Sequence, residues 1–434
     1  MIKSSLFVTF ITLCSSFLGF IIQILMAKKF GIGLELDAYF FALSLPTFIA
    51  GLVSSMLSYT VLARVAGFQR NIKFQHSYVK TILIIFIIIS ITMLLVGFFV
   101  ISKGNYFIPY EKVLREFPAF KTLLYVAWVL GSFQIIQGTL TAILGGLRKY
   151  ISAASVALFP YFGIMGAIIF SKSNSIVPIL EGFLIGTFIA SLFAILVLNK
   201  VLKEIASSAF LWGEIKPLFR TSLFALFGMI SFTSYSVIDS YWASRSGVGV
   251  LTTLSYAQRI IVASSALVVA GPLAILIPQL AKYHAERNQF AFRQLMIKSV
   301  FFIGLASVCI SCLIAYFSTF IVSLLFYRGE FGLQQVDLVA GALRYMSFGM
   351  AAMLISNILL RVLFFFEKGE LIGGVLGAGW AIFYFIQSSI FYLHGATGIA
   401  IGYSVAWIIY LIFLIFFTFN LIFKMSTSGE IKAL

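Results

Sequence analysis

Among the charged side chains that stand inside apolar runs, Asp37, Asp239, Arg259 and Arg361 are the candidates for chemistry. A charge carried into hydrocarbon is costly, and it persists mainly where it meets water, a partner or a ligand. Arg259 lies about two turns into a long apolar run. A guanidinium there suits bidentate capture of a phosphate or carboxylate. Asp239 stands in Ser-Val-Ile-Asp-Ser-Tyr-Trp, late in the preceding run. The two side chains allow a second reading, a buried Arg259–Asp239 pair that only ties two helices together. Asp37 precedes Ala38-Tyr39-Phe40-Phe41. It reads either as a charge at a site or as a helix cap, since carboxylates suit a first helical turn. Arg361 sits near the end of its run, where it can snorkel to the interface.

Uncharged polar side chains recur at helical spacing inside other apolar runs. Thr9, Thr12, Ser16, Gly19 and Gln23 share one face of the first. Asp37, Ser44, Thr47, Gly51, Ser55 and Ser58 do so in the second, and Gln134, Gln137, Thr141, Gly145 and Arg148 in the fourth. Thr252, Ser255 and Arg259, followed by Ala263, Ala266 and Ala270, form a fourth stripe. Small and weakly polar stripes also let membrane helices pack closely. Amides are harder to assign to packing, because they need a partner or water. Lining of a shared aqueous cavity is the expectation for the set.

The elements that position these residues follow from composition. The chain has 434 residues, 61% hydrophobic and 10% charged, against about 25% charged in a soluble domain. An all-α polytopic membrane protein is the expected class, because helices satisfy their own backbone in lipid. The net charge of +16 sits in short loops between apolar runs, which argues against a nucleic-acid binder. Cys14, Cys309 and Cys312 fall in apolar runs and read as inert. His76, His284 and His394 read as surface residues, and no cofactor or metal is expected. No His-Glu-x-x-His, Gly-x-Ser-x-Gly or P-loop pattern occurs.

A span needs about 20 mostly apolar residues, which gives about twelve. Their limits are 5–27, 37–63, 79–102, 118–146, 151–171, 176–198, 217–242, 251–279, 298–326, 338–365, 371–393 and 397–423. The first resembles a signal peptide, but no small-x-small cleavage site precedes Gln23, and it reads as a retained helix. Lysine and arginine divide roughly two to one between the two sets of loops. That places both termini in the cytoplasm. Arg259, Arg344 and Arg361 are left inside spans. The spans divide into two six-helix halves, 1–205 and 206–434. Tyr39–Arg64 corresponds to Leu254–Ala281 at an offset of about 215 residues. Six spans per half give both halves one orientation, hence parallel pseudo-twofold repeats with a substrate site between them.

Phe30-Gly31, then Asp37-Ala38-Tyr39-Phe40-Phe41-Ala42 and Leu45-Pro46, resemble the start of the second helix in the MurJ (MviN) family of the MOP (MATE-like) superfamily. Leu18-Gly19-Phe20, Ala27, Leu254-Ser255-Tyr256-Ala257-Gln258-Arg259, Leu276-Ile277-Pro278 and Leu360-Arg361-Val362-Leu363 match in the same order. The turn Tyr327-Arg328-Gly329-Glu330-Phe331-Gly332 is similar to a family turn and reads as structural. The resemblance implies a flippase that moves a polyprenyl-diphosphate-linked saccharide, lipid II or a related capsule, O-antigen or exopolysaccharide precursor, to the outer leaflet by alternating access. It also implies a multi-pass protein of the bacterial inner membrane, working as a monomer with membrane lipids. A coupling ion or the membrane potential would drive it. The expected substrate-binding set is Asp37, Arg259, Asp239, Gln134, Gln137, Ser16, Gln23 and Arg361. The family places three arginines in the first two helices, and Ser16, Ile22 and Ala50 stand at those positions here. That departure favours a cargo without a multiply charged peptide stem. The family usually has fourteen spans, against about twelve read here. Two other readings stay open: a cation-coupled exporter of small amphipathic compounds, and a membrane glycan polymerase or ligase. The latter lacks the long extracytoplasmic loop such chemistry needs.

Overall fold

The computed structural model describes residues 2–57, 61–68, 71–103, 117–171, 175–286 and 288–428. Ser58, Arg70, Lys112, Arg115, Lys172, Arg287 and Lys432, which entered the sequence reading, lie outside them. The described residues are almost entirely helical. In chain order the α-helices are α1 (Ile2–Phe30), α2 (Leu34–Met56), α3 (Leu62–Gly67), α4 (Ile72–Ser102), α5 (Phe120–Gly146), α6 (Tyr150–Val156), α7 (Leu158–Phe170) and α8 (Val177–Ala206). They continue with α9 (Ile215–Thr233), α10 (Tyr235–Ser246), α11 (Val250–Ala285), α12 (Gln289–Tyr316), α13 (Ser318–Phe326), α14 (Leu333–Leu363), α15 (Glu367–Phe391) and α16 (Gly395–Ser428).

Helix makes up nearly all of the described part of every expected span. Nine stretches among the described residues are long and apolar enough to cross a membrane. One of these, Gly369–Leu421, holds both α15 and most of α16. The seventh span is α9 followed by α10, and the ninth is α12 followed by α13. Outward faces confirm the solvent. Ile87, Ile88, Ile91 and Leu95 of α4 and Phe301, Phe302 and Leu305 of α12 are exposed. Such faces suit hydrocarbon. Cys309 and Cys312 are exposed on α12 as well, so they do not pack inside as a buried pair would.

Sequence chemistry sets several boundaries. The Asn71 side chain accepts from Phe74 N–H at 3.1 Å and caps α4. Asn288 does the same for α12 through Ala291 N–H at 3.0 Å. Between α1 and α2, Gly31 has φ 61°, a conformation that favours glycine. Gly33 does not share that need: its φ is −178°, extended backbone that any residue adopts. Gly33 is also the N-cap of α2, and Asp37 N–H donates to Gly33 O at 3.1 Å. Asp37 therefore lies within the helix rather than capping it.

The chain packs as two compact units. Unit 1 is Met1–Leu226 with Arg328–Glu330, and unit 2 is Phe227–Tyr327 with Phe331–Leu434. The division falls inside α9, later than the 205/206 join read from sequence. The connecting segment is held within unit 1: Lys80 Nζ donates to Ser208 O at 2.7 Å, Leu211 N–H to Thr81 Oγ1 at 2.9 Å, and Arg64 pairs with Glu214 at 2.9 Å.

Unit 1 is built around α5, whose buried face carries Leu123, Ala127, Leu130 and Ile135. Unit 2 is built around α14, which buries Leu343, Met346, Met350 and Leu359 among others. In unit 1, α7 and α8 approach backbone to backbone. A Cβ on Gly163 would stand 2.1 Å from Gly182 O, whereas one on Gly166 would meet nothing within 4 Å. Close glycine contacts replace the hydrophobic drive that is missing between helices in lipid. Gly163→Ala is expected to lower the melting temperature of the purified protein, at an overpacking cost of about 1–3 kcal/mol. Gly166→Ala on the same helix should leave it unchanged, and equal melting of the two variants would contradict this packing.

Candidate functional site

Two groups of side chains emerge, one in each unit. In unit 2, Asp239 of α10 is 2% exposed. Its carboxyl accepts two hydrogen bonds, one from the Tyr384 hydroxyl of α15 and one from the Gln258 amide of α11. A buried carboxyl demands such donors. Ring contacts surround the cluster: Trp380 stacks on Tyr384 at 5.1 Å, and Tyr403 lies 6.2 Å from Tyr384.

Gln258 and Arg259 are consecutive on α11. Successive helical residues point about 100° apart, because a turn takes 3.6 residues. Holding Gln258 inward on Asp239 therefore fixes the rotation of α11 and turns Arg259 away from the core. Arg259 is exposed. Among the described residues no ion pair joins it to Asp239; Arg64–Glu214, His76–Glu204 and Lys282–Glu286 are pairs elsewhere. The structural-pair reading is corrected accordingly, since Tyr384 and Gln258 occupy the carboxyl. Arg361 is half-buried on α14 and its Nε donates to Asn357 Oδ1 at 2.8 Å, one turn back on the same helix. Arg344 is exposed, and its Nε reaches Ser318 Oγ at 3.4 Å.

In unit 1, α1, α2, α5 and α6 surround a cavity of about 690 Å³. Thr12, Thr47, Ser54, Gln134, Gln137 and Thr141 supply its polar wall. Three of the four sequence stripes thus contribute to one cavity, and the fourth belongs to unit 2. Other members of those stripes stand elsewhere. Ser16 is exposed on α1, its hydroxyl bonded to Thr12 O at 3.1 Å. Gln23 is 7% exposed. Asp37 is 4% exposed in α2. None of these three lines the cavity. No cluster of three or more His, Cys, Asp or Glu side chains suited to a metal occurs among the described residues.

Sequence reasoning missed Tyr384, Ser54 and Tyr150. Tyr384 lies 145 residues from Asp239, and no local spacing announces it. Ser54 sits between named stripe members, and Tyr150 opens a helix just after a turn, where it looked like a connector.

The profile of the Lipid II flippase MurJ family matches residues 26–420. The chain belongs to that family. No curated protein matches it by sequence. Among solved structures, it is similar to Lipid II flippase MurJ in an inward closed conformation, with TM-score 0.76 and 18% identity over 98% of this chain and 93% of that one. It is also similar to an inward-facing multidrug resistance MATE family transporter of the MOP superfamily, with TM-score 0.70 and 14% identity over 95% of this chain and all (100%) of that one. A third likeness is to a MOP superfamily transporter from Pyrococcus furiosus, TM-score 0.62 and 14% identity over 98% and 94% of the two chains. At these identities the structural likenesses show the MurJ/MATE-like fold. Family membership makes the chain a multi-pass membrane protein of a flippase family.

Within this MurJ family chain, the Asp239 cluster carries a measurable coupling. Tyr384→Phe removes a donor to a buried carboxyl, and hydrogen bonds to charged groups are worth about 1.5–3 kcal/mol. Tyr384→Phe should destabilise the wild-type background and cost much less in the Asp239→Asn background. Thermal unfolding of the four proteins of this double-mutant cycle measures it; strict additivity would contradict the described bond.

Proposed function

We propose that the chain carries a polyprenyl-diphosphate-linked saccharide from the cytoplasmic to the outer leaflet of the bacterial inner membrane. The observation that carries this is Arg259, an exposed guanidinium in the N-terminal part of α11, followed by the apolar residues Ile260, Ile261 and Val262. The physical problem is a sugar and a diphosphate that cannot cross hydrocarbon, attached to a tail that can remain in it. Arg259 holds the diphosphate by its planar fork. Asp239 acts through Gln258: it positions α11 and does not itself touch cargo. Thr12, Thr47, Gln134, Gln137 and Thr141 meet water and sugar. Asp37, Ser16, Gln23 and Arg361 are proposed as contacts of the moving headgroup outside that cavity.

Both termini face the cytoplasm in this reading, on the lysine and arginine asymmetry of the loops. An inside-negative potential then favours outward movement of the anion. It supplies about 2.3 kcal/mol per charge per 100 mV, or about 4–5 kcal/mol for a charge near −2 moving alone. Cysteines placed at Asn71, Ser207 and Asn288, which are all exposed, should react only with reagents that reach the cytoplasm. Labelling of any of them from outside intact cells would reverse the orientation.

The site itself is tested on Arg259. Arg259→Ala should abolish transport in reconstituted vesicles while the protein still inserts and folds, because the residue is exposed. Arg259→Lys should restore part of the rate, since an ammonium keeps the charge and loses the fork. Normal transport by Arg259→Ala would place the diphosphate contact elsewhere.

A further inference from the structure

Arg344 is a cation inside a span that the handling of cargo leaves unused. From Leu333, the start of α14, to Arg344 the helix rises about 16 Å. Arg344 is exposed, and so are Phe348, one turn further along α14, and Phe320 and Leu324 of α13. A surface of that kind faces lipid chains. A guanidinium there is costly unless it reaches an anion or the headgroup layer. Its plane is held from one side: Nε donates to Ser318 Oγ at 3.4 Å. Ser318 opens α13 just after the break at Phe317. Among the described residues no ion pair engages the two terminal nitrogens, so the guanidinium keeps its outer edge for a ligand.

Asp337 shares that face. From Asp337 to Arg344 the helix turns through about 700°, within about 20° of two full turns. Asp337 is exposed and belongs to no ion pair among the described residues. It lies about 10 Å nearer the Leu333 end. Helical side chains lean toward the N-terminus of their helix, which carries the Arg344 head toward Asp337 and shortens that gap. Gly341 stands between them. A Cβ added there would meet only Thr397 Oγ1, at 3.8 Å, so the glycine leaves a notch on the face. Outward from the membrane interior, the face therefore presents apolar rings, a cation, a notch and an acid.

That is the order of groups in an amino-phospholipid: acyl chains, phosphate, primary ammonium. We propose that this face of α14 is a binding site for a bilayer phospholipid with a primary amine headgroup, of the phosphatidylethanolamine class. Arg344 takes the phosphate oxygens on its outer edge. Asp337 accepts from the ammonium, the headgroup bends over Gly341, and the acyl chains lie along Phe348. An anionic headgroup without an amine would bring no partner to Asp337 and would add to its negative charge. A quaternary ammonium would offer Asp337 no N–H to accept from. The site lies wholly within unit 2, and it depends on membrane insertion rather than on what the cargo is.

The test uses the full chain, stripped of lipid in detergent, and three lipids with identical acyl chains: phosphatidylethanolamine, phosphatidylcholine and phosphatidylglycerol. Native mass spectrometry reads the affinity of each. The wild-type protein should bind phosphatidylethanolamine about three- to tenfold more tightly than either of the others. Asp337→Asn should bring phosphatidylethanolamine down to the affinity of phosphatidylcholine. Arg344→Gln should weaken all three lipids by about three- to tenfold, and Arg344→Lys should recover part of that loss. Both side chains are exposed, so the lipid-free variants should melt with the wild type. Equal binding of the three lipids by the wild-type protein would mean that Arg344 only snorkels, and would overturn the proposal without recourse to any variant. Tighter binding of phosphatidylglycerol than of phosphatidylethanolamine would also overturn it, as would an Asp337→Asn variant that keeps the full preference.

Discussion

Hydrocarbon offers no hydrogen-bond partner, and that constraint shapes the whole chain. Backbone groups are satisfied inside helices. Hydroxyls turn back on their own helix: Ser15, Thr81, Ser132, Thr139 and Ser191 each donate to a carbonyl four residues earlier. A carboxyl cannot do this, because it needs donors and has none of its own when ionised. Asp239 finds them on two other helices, from Tyr384 and Gln258. Those bonds tie α10, α11 and α15 together and set the rotation of α11. The exposure of Arg259 follows from that rotation, so a buried acid and an exposed base are two ends of one device.

The two units solve their packing differently. Unit 1 brings α7 and α8 together through glycines, with Gly163, Gly182 and Gly186 in backbone contact. Unit 2 fills its interior with aromatic rings, Trp380 lying 4.7 Å from Trp407 and Trp407 5.6 Å from Tyr410. Glycine contacts bring helices close, whereas rings of this size hold them further apart and carry polar tips that suit a buried acid. The charge-bearing cluster stands in the aromatic unit and the neutral polar cavity in the glycine-packed one.

Much of this was legible in the sequence. Apolar runs of about 20 residues locate spans because the bilayer sets their length. Arg259 stood out in the sequence as a cation inside an apolar run, and its exposure in the structure keeps it available to a ligand. Asp37 was read as a candidate cap because carboxylates suit a first helical turn, but Gly33 is the N-cap of α2. Only the backbone angles show that α2 starts at Leu34. The partners of Asp239 were not legible, because a contact across 145 residues leaves no local pattern. Periodicity placed Thr12, Ser16 and Gln23 on one face of α1. Tertiary packing then decided that Thr12 meets the cavity, Ser16 is exposed and Gln23 is buried. The breaks after Thr233 and Tyr316 were also invisible, since Ser234 and Phe317 are ordinary residues within apolar runs.

The central claim is that this MurJ family chain moves a lipid-linked saccharide between leaflets. The most direct measurement is depletion of the protein in its host, followed by quantification of polyprenyl-diphosphate-linked saccharides on each leaflet. The account predicts that one such lipid accumulates on the cytoplasmic leaflet as its outer-leaflet pool falls, and that restoring the wild-type chain reverses both changes. Unchanged leaflet distributions of all such lipids after depletion would contradict it.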